Sequence, residues 1–180
     1  ELGLRQFSLG PEVWVEREDF MEVPSKGYHR LYPGNKTRLK YGYVVECTGC
    51  ERDEAGNITA VLATVVPDTK SGTAGADAIK VKGVITWVGV HEALAAEVRL
   101  YDRLFTEAQP DAGGRDFLEV LNPNSLKVVQ AWLEPSMAAV QAGTQVQFER
   151  HGYFVADRVD HQSGIPVFNK ITGLRDGFAK

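Results

Sequence analysis

The stretch Thr37–Val66, TRLKYGYVVECTGCERDEAGNITAVLATVV, decides the fold. Its opening residues alternate Arg38, Lys40 and Gly42 against Leu39, Tyr41 and Tyr43, the two-residue period of a strand. YVVECTGCERD then reads as a strand entering a hairpin, and Glu54-Ala55-Gly56-Asn57 supplies the turn. ITAVLATVV returns as a run of β-branched residues. Working outward, EVWVE, VKGVITWVGV, AEVRLYDRLF, LKVVQAWL, TQVQFER and GYFVAD carry the same signature. Turn residues punctuate them at Pro33-Gly34-Asn35, Ala112-Gly113-Gly114 and Asn122-Pro123-Asn124. Many short strands at this spacing predict an all-β chain of barrels or sandwiches, not alternating strand and helix. Helical signals are few: Arg17–Glu22 ahead of Pro24, Gly114–Leu121, and a turn over Ser136–Ala142. The small, polar segment Pro67–Ala78 predicts an exposed loop. A soft boundary near residues 90 to 95 separates two β-rich lobes.

With 180 residues, 43% hydrophobic and 24% charged, the chain has the composition of an ordinary globular protein. It contains no apolar run of about 20 residues and no apolar N-terminal core, so a soluble, cytoplasmic protein that avoids membranes is expected. The net charge is −4, which argues against a general coating of nucleic acid. Yet Val23–Val45 holds no acid at all. It carries Lys26, Arg30, Lys36, Arg38 and Lys40, with His29 and four tyrosines among them. Positive charge gathered with aromatic rings in an acidic chain points to a local polyanion site, and RNA is the first candidate.

On a regular strand Arg38 and Lys40 share a face, about 7 Å apart. Tyr41 and Tyr43 would then lie on the other face with Leu39, in the core. Tyr28 and Tyr32, in the irregular stretch before the turn, are better placed to stack on an unpaired base. A second candidate is GTQVQFERHGYF, where Gln145 and Gln147 share a face. Arg150 would join Gln147 only through a bulge near His151-Gly152. Cys47 and Cys50 form a lone C-x-x-C with no further ligands at metal spacing, and i, i+3 positions on a regular strand face opposite sides. They read as neutral thiols. No phosphate-binding glycine loop, nucleophile elbow or H-E-x-x-H occurs. His91-Glu92, and Asp157 with Asp160-His161, read as surface polar pairs, and no catalytic set stands out.

Eight motifs in order then carry a resemblance. They are R-x-D-F at Arg17–Phe20, Y-x-R-L at Tyr28–Leu31, R-L at Arg38-Leu39, GNIT at Gly56–Thr59 and KVKGVITWV at Lys80–Val88. EVRLYDRLF at Glu97–Phe105, FERHGYF at Phe148–Phe154 and PVFNKITGLRD at Pro166–Asp176 complete the set. Together they resemble the C-terminal anticodon-binding region of bacterial glutaminyl-tRNA synthetases. The resemblance implies two β-barrels of ribosomal-protein-like type: residues 10–90 as the distal barrel and 91–180 as the proximal barrel, without its first strand or strands. It implies an excised piece, monomeric, that binds tRNA(Gln) without aminoacylating it, and needs no cofactor of its own. ATP and magnesium would serve an absent catalytic domain. By the same resemblance Arg38 matches the arginine that reads the first anticodon base, with Lys40 in place of a second arginine. Arg30 matches the reader of the third base, and His29 stands beside it where the pattern has lysine. Gln147 and Arg150 match the pair that holds the central uridine. Two alternatives stay open: a ribosomal-protein-like barrel on structured rRNA, and the matching region of a glutamyl-tRNA synthetase.

Overall fold

A computed structural model describes residues 5–174. The described residues divide into two compact units, one formed by Ser8–His91 and the other by residues 92–174 together with residues 5–7. Strands dominate both, as the periodicity predicts.

In the first unit, β1 (Val13–Val15) pairs with β6 (Trp87–Gly89) as an antiparallel ribbon. The main sheet has the order β4-β3-β2-β5. It is built from β2 (Lys36–Leu39), β3 (Val44–Arg52), β4 (Ile58–Val65) and β5 (Gly83–Ile85). β5 lies parallel to β2, and the remaining pairs are antiparallel. Phe20, Leu31, Leu39, Val45, Cys47 and Ile85 form the core, with Val15 and Trp87 packed on it.

The second unit is one five-stranded sheet of order β8-β7-β11-β10-β9. Its strands are β7 (Leu94–Tyr101), β8 (Leu126–Leu133), β9 (Gln145–Phe148), β10 (Gly152–Ala156) and β11 (Val167–Thr172). β11 is parallel to β7. Phe154 and Phe168 are fully buried, and the Phe148 ring packs against both at centroid distances of 4.6 and 5.2 Å.

Several expectations change. The barrels are not closed hydrogen-bonded rings among the described residues: β4 and β5 are edges of one sheet, β8 and β9 of the other. The helical segments shrink to 3-10 turns at Arg17–Asp19, Phe117–Val120 and Pro135–Ala139. TRLKYGYVV is two strands, because the chain reverses at Lys40–Gly42. VKGVITWVGV likewise divides at Thr86, so that β5 joins β2 while β6 joins β1. The C-x-x-C also departs from a regular strand. A register shift between Cys47 and Gly49 inserts an extra residue into β3, so buried Cys47 and partly buried Cys50 both pack on the core. Burial pushes the Cys47 thiol above its ordinary value, which suits a packing role rather than reactivity. β11 has a short β-branched sequence that periodicity did not single out, although it is the central strand. The closing Arg175-Asp176 of its motif lies outside the described residues.

Close backbone approach fixes where β5 can lie. A Cβ at Gly83 would stand 2.0 Å from the His29 carbonyl oxygen, so only glycine lets β5 seat beside β2 under the basic segment. Gly83→Ala is therefore expected to cost about 1–3 kcal/mol through forced backbone displacement. Urea denaturation of the variant would read it as a lower midpoint.

Candidate nucleic-acid interface

The basic segment is laid down by two backbone connections. Leu31 N donates to Asp19 O at 2.9 Å and Met21 N donates to Leu31 O at 3.0 Å, tying the segment to the Arg17–Asp19 turn. Asn35 holds it from the other side, its Nδ2 donating to Arg30 O at 2.6 Å and His29 O at 3.2 Å. Arg30 and His29 are thereby set on a fixed backbone. The Arg30 guanidinium lies 3.0 Å from the carboxylate of Asp19, which is fully buried, and 3.6 Å from that of Glu18. The Tyr28 hydroxyl donates to Glu18 O at 3.1 Å, and its ring tilts against Tyr32 at 6.5 Å. A buried carboxylate beside a partly exposed guanidinium orients the fork while leaving it at the surface. His29 is exposed.

Arg38 has a different setting. Its Nη1 donates to Thr69 O at 2.7 Å, Ser71 Oγ at 3.3 Å and Gly42 O at 3.4 Å, and its Nη2 donates to Ala76 O. The Pro67–Ala78 segment is an exposed loop over most of its length, as expected, and these bonds anchor it to β2. Thr69 is buried within it: Val44 N donates to its hydroxyl at 2.9 Å, and the hydroxyl donates to Val66 O at 2.7 Å.

Lys40 does not continue the strand but stands in the turn that follows it. The Gly42 N–H donates to Leu39 O at 2.8 Å, closing a four-residue turn with Tyr41 at its third position and φ of 63°. Turns with positive φ there prefer Gly or Asn, and a larger L-residue pays roughly 1–2 kcal/mol. Tyr41 is therefore not core. It is 50% exposed, with the Lys40 ammonium 5.2 Å from its ring centroid.

In the second unit, β9 and β10 form a hairpin in which Phe148 pairs with Gly152, leaving Glu149–His151 as the loop. Gln147 is exposed and directly opposite Tyr153. Arg150 takes φ of 70° within the loop. Gln147 and Arg150 are thus set at one end of the hairpin by a three-residue reversal with a left-handed residue. The bulge lies further along, between Tyr153 and Phe154 in the pairing with β11.

Comparison with known proteins supplies the family. Residues 1–66 and residues 84–157 match two family models, each described as the anticodon-binding domain of class I tRNA synthetases (E and Q). The chain belongs to that family. It is 64% identical over its whole length to a glutamine–tRNA ligase of Ralstonia pickettii and 61% to one of Cupriavidus necator. It is 58% identical, over 99% of its length, to one of Bordetella avium. The chain spans about 31% of the length of the first two relatives and 30% of the third. Both matched stretches are accordingly of the anticodon-binding type. No helix among the described residues is long and apolar enough to cross a membrane.

Three residues of this anticodon-binding domain were not legible as site residues: Asp19, Asn35 and Thr69. Asp19 acts on Arg30 across the sheet connection and Thr69 on Val44 far back in the chain, while Asn35 acts on the carbonyls of the nearby Arg30 and His29. Conversely, Asp157 and Asp160, read from the sequence as surface polar residues, belong to a structural network. Arg99 reaches Glu97 at 2.7 Å, Asp160 at 2.7 Å and Asp157 at 3.5 Å. Asp157 accepts the N–H groups of Asp160 and Val159 at 2.8 Å each and the amide of Asn169 at 2.6 Å. Those bonds, Asp160 N–H first, then Asn169, then Val159, with the Arg99 charge adding less, hold the Asp157 carboxyl down at about 2. The folded state thus binds a proton at Asp157 less readily than the unfolded chain. Its contribution is complete above pH of about 4 and is lost as pH falls toward 2. Thermal melts from pH 5 to pH 2 are expected to show Asp157→Asn with a shallower acid loss than the unsubstituted chain.

Proposed function

We propose that this chain reads the anticodon of tRNA(Gln) on behalf of a glutamine–tRNA ligase in the cytoplasm, acting as a single copy. The observation that carries the reading is identity of 64% over the full chain to such a ligase. Attachment of glutamine, with ATP and magnesium, is assigned to the whole protein. This sequence has no glycine-rich phosphate loop, so none of its residues is assigned to ATP.

The chemistry suits unpaired bases. Sequence-specific RNA readout uses hydrogen bonds to splayed base edges and stacking on side chains. Arg30, held by Asp19 at 3.0 Å, offers the rest of its planar fork to the third anticodon base, with His29 beside it. Gln147, exposed on β9, and Arg150 in the following loop serve the central uridine. Lys40 supplies charge at the first base, where Arg38 supports the surrounding backbone. A pocket built for one base's polar groups rejects others because its own groups would go unsatisfied.

Titration of an anticodon stem-loop bearing C or U, then U, then G tests the reading. Changing the central uridine is expected to weaken binding clearly, and equal affinities would refute anticodon reading in favour of a shape-reading contact to structured rRNA. Arg30→Lys keeps a cation beside Asp19 but loses the fork. It is expected to cost about 1–3 kcal/mol at the cognate third base and to relax selectivity there. A uniform loss across all third bases would make Arg30 a phosphate contact.

A further inference from the structure

We infer that Tyr41 is a stacking platform for one unpaired base of the RNA, and that Arg38 is the positioning residue that holds the platform in place. The inference rests on the anticodon reading above and adds two roles to it. Three observations converge on Tyr41. Its ring is half exposed at the tip of the β2–β3 turn rather than packed in the core. Its backbone sits at φ of 63°, where Gly or Asn would be unstrained. A strained non-glycine residue persists only where the surrounding structure holds it, and such residues gather at functional sites. The Lys40 ammonium lies 5.2 Å from the ring centroid, so a π surface for a base and a cation for the adjoining phosphate stand together.

The turn is held from both sides. Lys40 N donates to Ile85 O at 2.9 Å, and Trp87 Nε1 donates to Lys40 O at 2.9 Å. On the other flank the Gly42 carbonyl accepts Ser71 N at 2.9 Å, Ser71 Oγ at 3.0 Å and Arg38 Nη1 at 3.4 Å. Arg38 also binds Thr69 O and Ala76 O, so one guanidinium joins the turn to the 67–78 segment. Gly75 makes that segment tight, since a Cβ there would meet Asp68 O at 2.0 Å. An arginine with Nη1 and Nη2 already committed to backbone carbonyls supports a surface rather than presenting its whole fork to a base edge.

The test combines variants with stem-loops made abasic at each loop position in turn. Tyr41→Asn, which suits the positive φ, is expected to retain or raise the melting temperature while weakening stem-loop binding about tenfold. Tyr41→Phe should bind like the unsubstituted chain. The Tyr41→Asn penalty should vanish with one abasic loop, which identifies the stacked base. A penalty that persists with every abasic loop, or none with the intact loop, overturns the platform. For Arg38→Gln, hydrogen exchange at the Ser71 amide should quicken and affinity should fall by the same factor whichever base is first. Lost first-base discrimination with Ser71 protection intact would instead make Arg38 a base reader. An unsubstituted chain indifferent to the central uridine overturns the anticodon reading itself. A selective chain indifferent to Tyr41→Asn overturns only the platform.

Discussion

Parallel pairing of a late strand against an early one organises each unit. β5 lies along β2 in the first, and β11 lies along β7 in the second. Parallel neighbours cannot be joined by a tight turn, so a long connection must leave the sheet and return. In the first unit that connection carries the β3–β4 hairpin and then the 67–78 segment. The return path brings this segment to β2, where the carbonyls of Thr69 and Ala76 meet the Arg38 guanidinium. In the second unit the connection carries β8, β9 and β10. The Glu149–His151 loop follows from that route, as does the meeting of Arg99 on β7 with Asp157 beyond β10.

Folding also redistributes the charge that first marks the chain. Val23–Val45 is free of acids in sequence but not in space. Asp19 and Glu18 stand against Arg30, and Glu46 lies 3.1 Å from Lys36 across the β2–β3 pair. Arg38 is held by carbonyl dipoles rather than by a carboxylate. The segment therefore presents a small number of oriented donors rather than a diffuse positive field. That is the difference between positioning on phosphates and discrimination among bases. A chain of net charge −4 can bind RNA on such terms because the selectivity comes from geometry.

The all-β class, most strand positions and the two candidate segments were legible because side-chain alternation and turn residues are local signals. TRLKYGYVV shows where that logic ends. Its alternation is regular through Tyr43, yet the chain reverses at Lys40–Gly42, and Tyr41 moves from an expected core position to the surface. The bulge in β3 similarly turns Cys47 and Cys50 to one side when strict alternation separates them. Both errors have one cause: period-two reasoning assumes unbroken register, and one extra or left-handed residue inverts every face beyond it.

By itself the sequence determined the strand-rich class, the concentration of cations and rings in Val23–Val45, and the motifs that tie the chain to anticodon-binding domains. Those features depend on residue type and on near neighbours. Tertiary structure alone decided which arginine is paired with a carboxylate and which is bound through both Nη1 and Nη2 to backbone carbonyls. Arg30 and Arg38 are eight residues apart and alike in chemistry. Their settings differ because one meets a buried carboxylate from the Arg17–Asp19 turn and the other meets carbonyls some thirty residues further on. No local pattern encodes such contacts, since each is created only when distant backbone is brought within hydrogen-bond reach.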